Sequence, residues 1–170
     1  MSGTGVWRRI LRHLLTDERA LRQAFPGAAL AAIEQETARQ ENRHMGELRF
    51  AAEAALPVAA LLERMSPRER AIEQFGRLRI WDTEHNCGVL IYVLLADHDV
   101  EIVADRGIDA RVGAQQWDAI CRQMQREFAA GRFEAGAIAG LRAISDLLAT
   151  HFPAAGRDNP NDLSDKPILL

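Results

Sequence analysis

The stretch GVLIYVLLA, Gly88 to Ala96, constrains this chain more than any other. It carries no charge and is partly β-branched. Polar clusters bound it: Asp82, Thr83, Glu84, His85 and Asn86 before, Asp97, His98 and Asp99 after. Nine residues are too few for a membrane span, which needs about 20. A strand with one wet face would alternate with polar residues, and this one does not. The run therefore predicts a central strand over 88–95, covered on both faces, and with it a layered fold. Residues 96–99 (ADHD) read as a turn. Val100, Ile102 and Ala104 alternate with Glu101 and Val103, which predicts a returning antiparallel strand over 100–105. Asp105-Arg106-Gly107 ends that strand, with Gly107 free to take positive φ.

The periodicity elsewhere supplies the covering layers. Trp7, Ile10, Leu11, Leu14 and Leu15 fall at helical spacing, with Arg8, Arg9 and Arg12 between them. Pro26 opens a second helical segment with Leu30, Ile33 and Thr37 on one face. At Glu47 the period changes to two, with Leu48, Phe50, Ala52 and Ala54 alternating, which predicts a strand over 47–54. Ser66-Pro67-Arg68-Glu69 is a capping box with proline at the first helical position, so a helix over 66–80 is expected, with Ile72, Phe75 and Leu78 as its buried stripe. Trp117, Ile120, Cys121, Met124 and Phe128 predict another helix. Gly131 breaks the chain, and Ile138, Leu141, Ile144, Leu147 and Leu148 predict a last one. The fold class is α/β: a single mixed β-sheet sandwiched between helices, with an N-terminal helical extension at 1–23, the main domain at 24–153, and a Pro-, Asn- and Asp-rich tail at 154–170 that reads as mobile.

Composition excludes several classes. The chain of 170 residues, 48% hydrophobic and 26% charged, is an ordinary globular sequence. Its net charge of −3 gives no reason to expect nucleic acid as a partner. Two cysteines, Cys87 and Cys121, make no disulfide scaffold and no metal-type spacing. The N-terminus has no continuous apolar core and no cleavage site, and no transmembrane segment is present, so a cytoplasmic location is expected.

Topology selects which polar residues meet. Strand 47–54, helix 66–80 and strand 88–95 form a βαβ unit, so the two strands run parallel, and strand 100–105 returns antiparallel. Glu47, the 82–86 loop and Asp105 then share one edge of the sheet. Asp97 and Asp99 lie at the opposite edge, about 25 Å away for eight residues at roughly 3.3 Å each. Glu47, Asp82, Glu84, Asn86 and Asp105 offer hard oxygen ligands suited to Ca²⁺ or Mg²⁺. Arg106 is the alternative counter-charge. The same acids equally suit solvated loops or turn caps.

Other motifs carry less. The strand followed by D-x-D at Asp97 and Asp99 resembles a haloacid-dehalogenase nucleophile, but another strand begins at once and leaves no room for that fold's insert. Cys121 and Arg126 are one residue short of a C-x₅-R phosphate loop, and Cys121 falls on a buried helix face. The five histidines show no H-x-x-x-H pair; His44 and His85 are the two that topology brings toward the acidic edge, as general acid or base. The N-terminal helix suits packing on its own domain, or lying on a membrane with Trp7, Ile10, Leu11 and Leu14 down and the arginines up.

Residues 44–56 (HMGELRFAAEAAL), 70–108 (RAIEQFGRLRIWDTEHNCGVLIYVLLADHDVEIVADRGI), Trp117, and GRFEAGAIAGLRAI (131–144) before HFP (151–153) together resemble the TPM domain family, also called the TPM-phosphatase family, in its short bacterial branch. The resemblance covers about residues 24 to 153. It implies a mixed sheet between helices, with a site at the loop edge onto which Asp82, Thr83, Asn86, Asp105 and Gly107 map. It implies divalent-cation binding, with Asp82, Asn86 and Asp105 as metal ligands and Glu47, Thr83, Arg106 and Gly107 in support. Acid-phosphatase-type phosphomonoester hydrolysis is the alternative, with the cation and Arg106 neutralising phosphoryl oxygens. A non-catalytic scaffold docking a membrane-associated partner is the third reading, and a LemA-type membrane protein is the partner the resemblance suggests. Many relatives carry a signal peptide and a C-terminal membrane helix, and this chain shows neither.

Overall fold

The structure, a computed structural model, describes residues 3–83, 86–154 and 163–170. The apolar run forms strand β2 (Gly88–Leu94), and all seven residues are buried. Strand β1 (Glu47–Glu53) runs parallel to it on one side, Glu47 opposite Gly88 and Glu53 opposite Leu94. Strand β3 (Asp99–Ala104) runs antiparallel on the other side, Val89 opposite Ala104. A short strand β4 (Ile168–Leu169) pairs parallel with β1, which gives the order β3-β2-β1-β4. β2 has no solvent face, and this is why no position along it carries a charge.

Helices cover both faces, as a doubly apolar strand requires. On one face Leu48, Phe50, Val89 and Ile91 pack under α2 (Glu18–Ala24), α3 (Gly27–Glu41), α7 (Ala114–Ala129) and α8 (Phe133–His151). Phe25 meets Phe50, Phe128 and Phe133 edge-on there. On the other face Ala51, Leu90, Tyr92 and Leu94 pack under α1 (Gly3–Leu15), α4 (Val58–Leu62) and α5 (Pro67–Arg77). No helix among the described residues is long and apolar enough to cross a membrane.

Four expectations are corrected. The capping box at Ser66 and Glu69 forms, but α5 ends at Arg77 and leaves Ile72 52% exposed. It turns Arg70, Ala71 and Gln74 inward because buried Glu53 needs a cation: Arg70 donates to both Glu53 oxygens at 2.9 and 2.6 Å, and the Tyr92 hydroxyl donates to Glu53 at 2.5 Å. Gly107 has no positive φ, because Asp105 caps a further helix, α6 (Arg106–Val112). The four-residue turn is a single 3-10 turn over Leu95–Asp97 followed by His98 in the left-handed region (φ 53°). The end of the tail, Ile168–Leu169, supplies β4 instead of lying off the domain.

Candidate functional site

At one edge of the sheet lie the beginnings of β1 and β2 and the end of β3. The Glu47 amide donates to the Cys87 carbonyl at 3.0 Å, and the Asp105 amide donates to the Gly88 carbonyl at 2.9 Å. These two bonds stitch three chain segments side by side. Gly88 is required there, since a Cβ would fall 2.0 Å from the Ile80 carbonyl oxygen.

The loop before β2 is organised by its own backbone. The Asp82 amide donates to the Arg79 carbonyl at 3.0 Å, and the Asn86 amide to the Thr83 carbonyl at 3.2 Å. The buried Thr83 hydroxyl accepts the Cys87 amide at 3.0 Å, which closes the loop onto β2. Asn86 takes the left-handed conformation (φ 51°), which asparagine tolerates better than most residues. Its carbonyl faces α6, where a Cβ on Gly107 would come within 3.3 Å of it. Asp105 Oδ1 accepts the Arg106 amide at 2.6 Å and so caps α6. Asn86, Asp105 and Gly107 are therefore neighbours, Asp82 stands exposed in the same loop, and Arg106 is exposed beside Asp105. Glu84 and His85 lie outside the described residues.

Glu47 serves a different environment. It is 1% exposed, and its Oε2 accepts the Leu163 amide at 3.1 Å, so it anchors the tail. Beside it the Glu41 carboxyl is pushed up to about 9, by burial first and then by hydrogen bonding with Asp165 and the charge of Glu47, although its Oε1 accepts the Leu48 amide at 2.8 Å. Burial also pushes the Cys87 thiol up to about 11, with the charges of Glu47 and Asp105 contributing; its Sγ donates to the Met45 carbonyl at 2.6 Å. That thiol is an inert filler. His44 is fully buried, its Nδ1 accepts the Gly46 amide at 3.2 Å, and burial lowers it to about 4. It stays neutral at physiological pH and has no route to a substrate at the surface. Among the described residues no three His, Cys, Asp or Glu side chains are grouped so as to hold a metal ion, so any cation here would also draw on amide oxygen and water.

The opposite edge holds a cluster that sequence reasoning missed. Asp97 accepts from Arg9 at 2.7 and 3.0 Å and from Arg12, and His13 Nε2 lies 3.1 Å from its Oδ1. His13 Nδ1 accepts the Leu56 amide at 2.9 Å, which puts the imidazole proton on Nε2, facing Asp97. Burial alone would raise the Asp97 carboxyl, but Arg9 and His13 bring it below its ordinary value. The spacing 9, 12, 13 puts three basic groups on one side of a helix, and that was the available signal. Asp99 and Asp97 are far from Asp105, as the topology requires.

The TPM domain family model matches residues 19–147. Among solved structures, the NMR structure of BA42 from the psychrophilic bacterium Bizionia argentinensis is similar, with a TM-score of 0.75 and 26% identity over 86% of this chain and 95% of that one. No curated protein matches.

Proposed function

This chain belongs to the TPM domain family, and from that premise we propose that it is a module binding a hard divalent cation, Ca²⁺ or Mg²⁺, at the loop edge of its sheet. One observation carries the reading: the hydrogen bond from the Asp105 amide to the Gly88 carbonyl sets the end of β3 beside the Asn86 loop, where the Asn86 carbonyl faces Gly107. Asp82 and Asp105 would supply carboxylates and Asn86 an amide oxygen, with waters completing the shell. Thr83 holds the loop closed, and Gly107 gives α6 room to approach. The cation would screen the two carboxylates from each other.

Mass action supplies the test. A ligand bound only by the native state stabilises it by about 2.7 kcal/mol at a hundredfold excess over Kd. For a chain of this size that raises the melting temperature by roughly 5–10 °C. The Asp82→Ala/Asp105→Ala variant should lose the rise, and an equal rise in the variant would remove these residues from the site. Phosphomonoester hydrolysis is the second reading, favoured only by the exposed Arg106 next to Asp105. It requires turnover of p-nitrophenyl phosphate that vanishes in the same variant. A LemA-type membrane protein is the partner expected for such a module, and co-purification with it is the check.

A further inference from the structure

Helix α1 has two apolar faces, and the domain uses only one. Val6 and Ile10 pack into the core beside Leu61, while Arg9 and His13 fasten the helix to Asp97. On the outward side Trp7 is 71% exposed, Leu11 57%, Leu14 63% and Leu15 74%. At 3.6 residues per turn these four fall in one arc of about 100°. Single exposed apolar residues are ordinary, but a contiguous patch of four large ones marks an interaction surface. Its border is basic: Arg8 is exposed, Arg12 beyond it is half exposed while paired with Asp97, and Gly3–Leu15 contains no acidic residue.

We propose that this face of α1 docks the protein on an anionic phospholipid surface, with Trp7, Leu11, Leu14 and Leu15 in the acyl boundary and Arg8 against lipid phosphates. An amphipathic helix with tryptophan and leucine on one side and arginine along the border is what an interfacial helix requires. A second copy of the chain fits less well. Four side chains are a small part of the about 800 Å² that each partner buries in a stable pair. In a protein pair Arg8 would also need an acid beside it, and the helix offers none. The sequence alone placed Ile10 in such a face and all three arginines opposite it. The fold instead takes Ile10 and Arg9 for its own packing and adds Leu15 to the outward arc. The inference is independent of the cation site, which lies at the other edge of the sheet.

The test is sedimentation of the full chain with vesicles of phosphatidylcholine alone and of phosphatidylcholine mixed with phosphatidylglycerol, alongside tryptophan emission. The chain should sediment with the anionic vesicles and much less with the neutral ones, with a blue shift that Trp7→Phe removes while binding persists. Leu11→Glu/Leu14→Glu should abolish sedimentation at an unchanged melting temperature, since both side chains are exposed. Arg8→Ala should weaken binding about fivefold, as expected for one basic residue near an anionic surface. Trp81→Ala, an exposed aromatic at the other edge, should bind normally. Absence of sedimentation with anionic vesicles, or sedimentation that survives the double glutamate variant, overturns the proposal. So does a dimer in equilibrium ultracentrifugation that the same variant dissociates, which would give the face to a second copy.

Discussion

Replacing Arg70 by methionine should be among the most damaging single changes outside the aliphatic core. Arg70 is buried, and its guanidinium gives two hydrogen bonds to Glu53 and one to Glu73 at 2.9 Å. Glu53 is also buried and shares its other polar contact with the Tyr92 hydroxyl. Hydrogen bonding to the Glu53 carboxylate is the main reason the Arg70 guanidinium is held above its ordinary pKa. Removing the cation leaves a carboxylate in the core with one neutral donor, which costs about 3–5 kcal/mol. That is a large share of a total stability of about 5–15 kcal/mol, and for this length it lowers the melting temperature by roughly 6–20 °C. Adding Glu53→Leu should recover part of the loss but not all of it, because an apolar pair replaces a buried ion pair at little cost while the Tyr92 hydroxyl loses its acceptor, at about 1–3 kcal/mol. Urea unfolding followed by circular dichroism, with equal m-values, measures all three proteins. A loss under about 1 kcal/mol for Arg70→Met, or a double variant worse than the single, would mean that Glu53 does not depend on this cation.

Two further predictions rest on single contacts. Glu41 is raised from 4.5 to about 9, so it contributes stability below the unfolded value that is lost as pH rises through that window. Glu41→Gln, which keeps an oxygen for the Leu48 amide, should flatten the fall in stability between mild acid and pH 9, as read by urea midpoints at the two ends. Gly88→Ala would force a Cβ to 2.0 Å from the Ile80 carbonyl, so either β2 or the preceding loop must move. A loss of about 3 kcal/mol or more is expected, beyond ordinary overpacking, read as a lower melting temperature or insoluble expression.

What was legible in the sequence was set by local chemistry. β2 declared itself because all seven positions are buried, and the Ser66 box declared the start of α5 because capping acts over three residues. The meeting of Asn86 and Asp105 followed from chain direction alone, before any side chain was placed. What could not be read depended on distant partners. The inward turn of Arg70 and Gln74 answers to Glu53, seventeen residues earlier and on another element. The Asp97 cluster joins residues 88 apart. β4 is two residues long after a stretch of sequence rich in Pro, Asn and Asp, and its pairing with β1 comes from the far end of the chain. Glu47 looked like a member of the loop site, since its register position is right. Its carboxylate instead meets the Leu163 amide, a contact no local pattern encodes.

On the proposed reading, Asp82, Asn86 and Asp105 hold a divalent cation between the loop before β2 and the start of α6. A ¹H–¹⁵N NMR titration of the full chain with Ca²⁺ and then Mg²⁺ should then show saturable shifts confined to amides of residues 82–88 and 105–108, with α1 and the turn at 95–98 unmoved. Flat spectra through millimolar cation, or shifts centred on Asp97 and Asp99, would remove the cation from this edge.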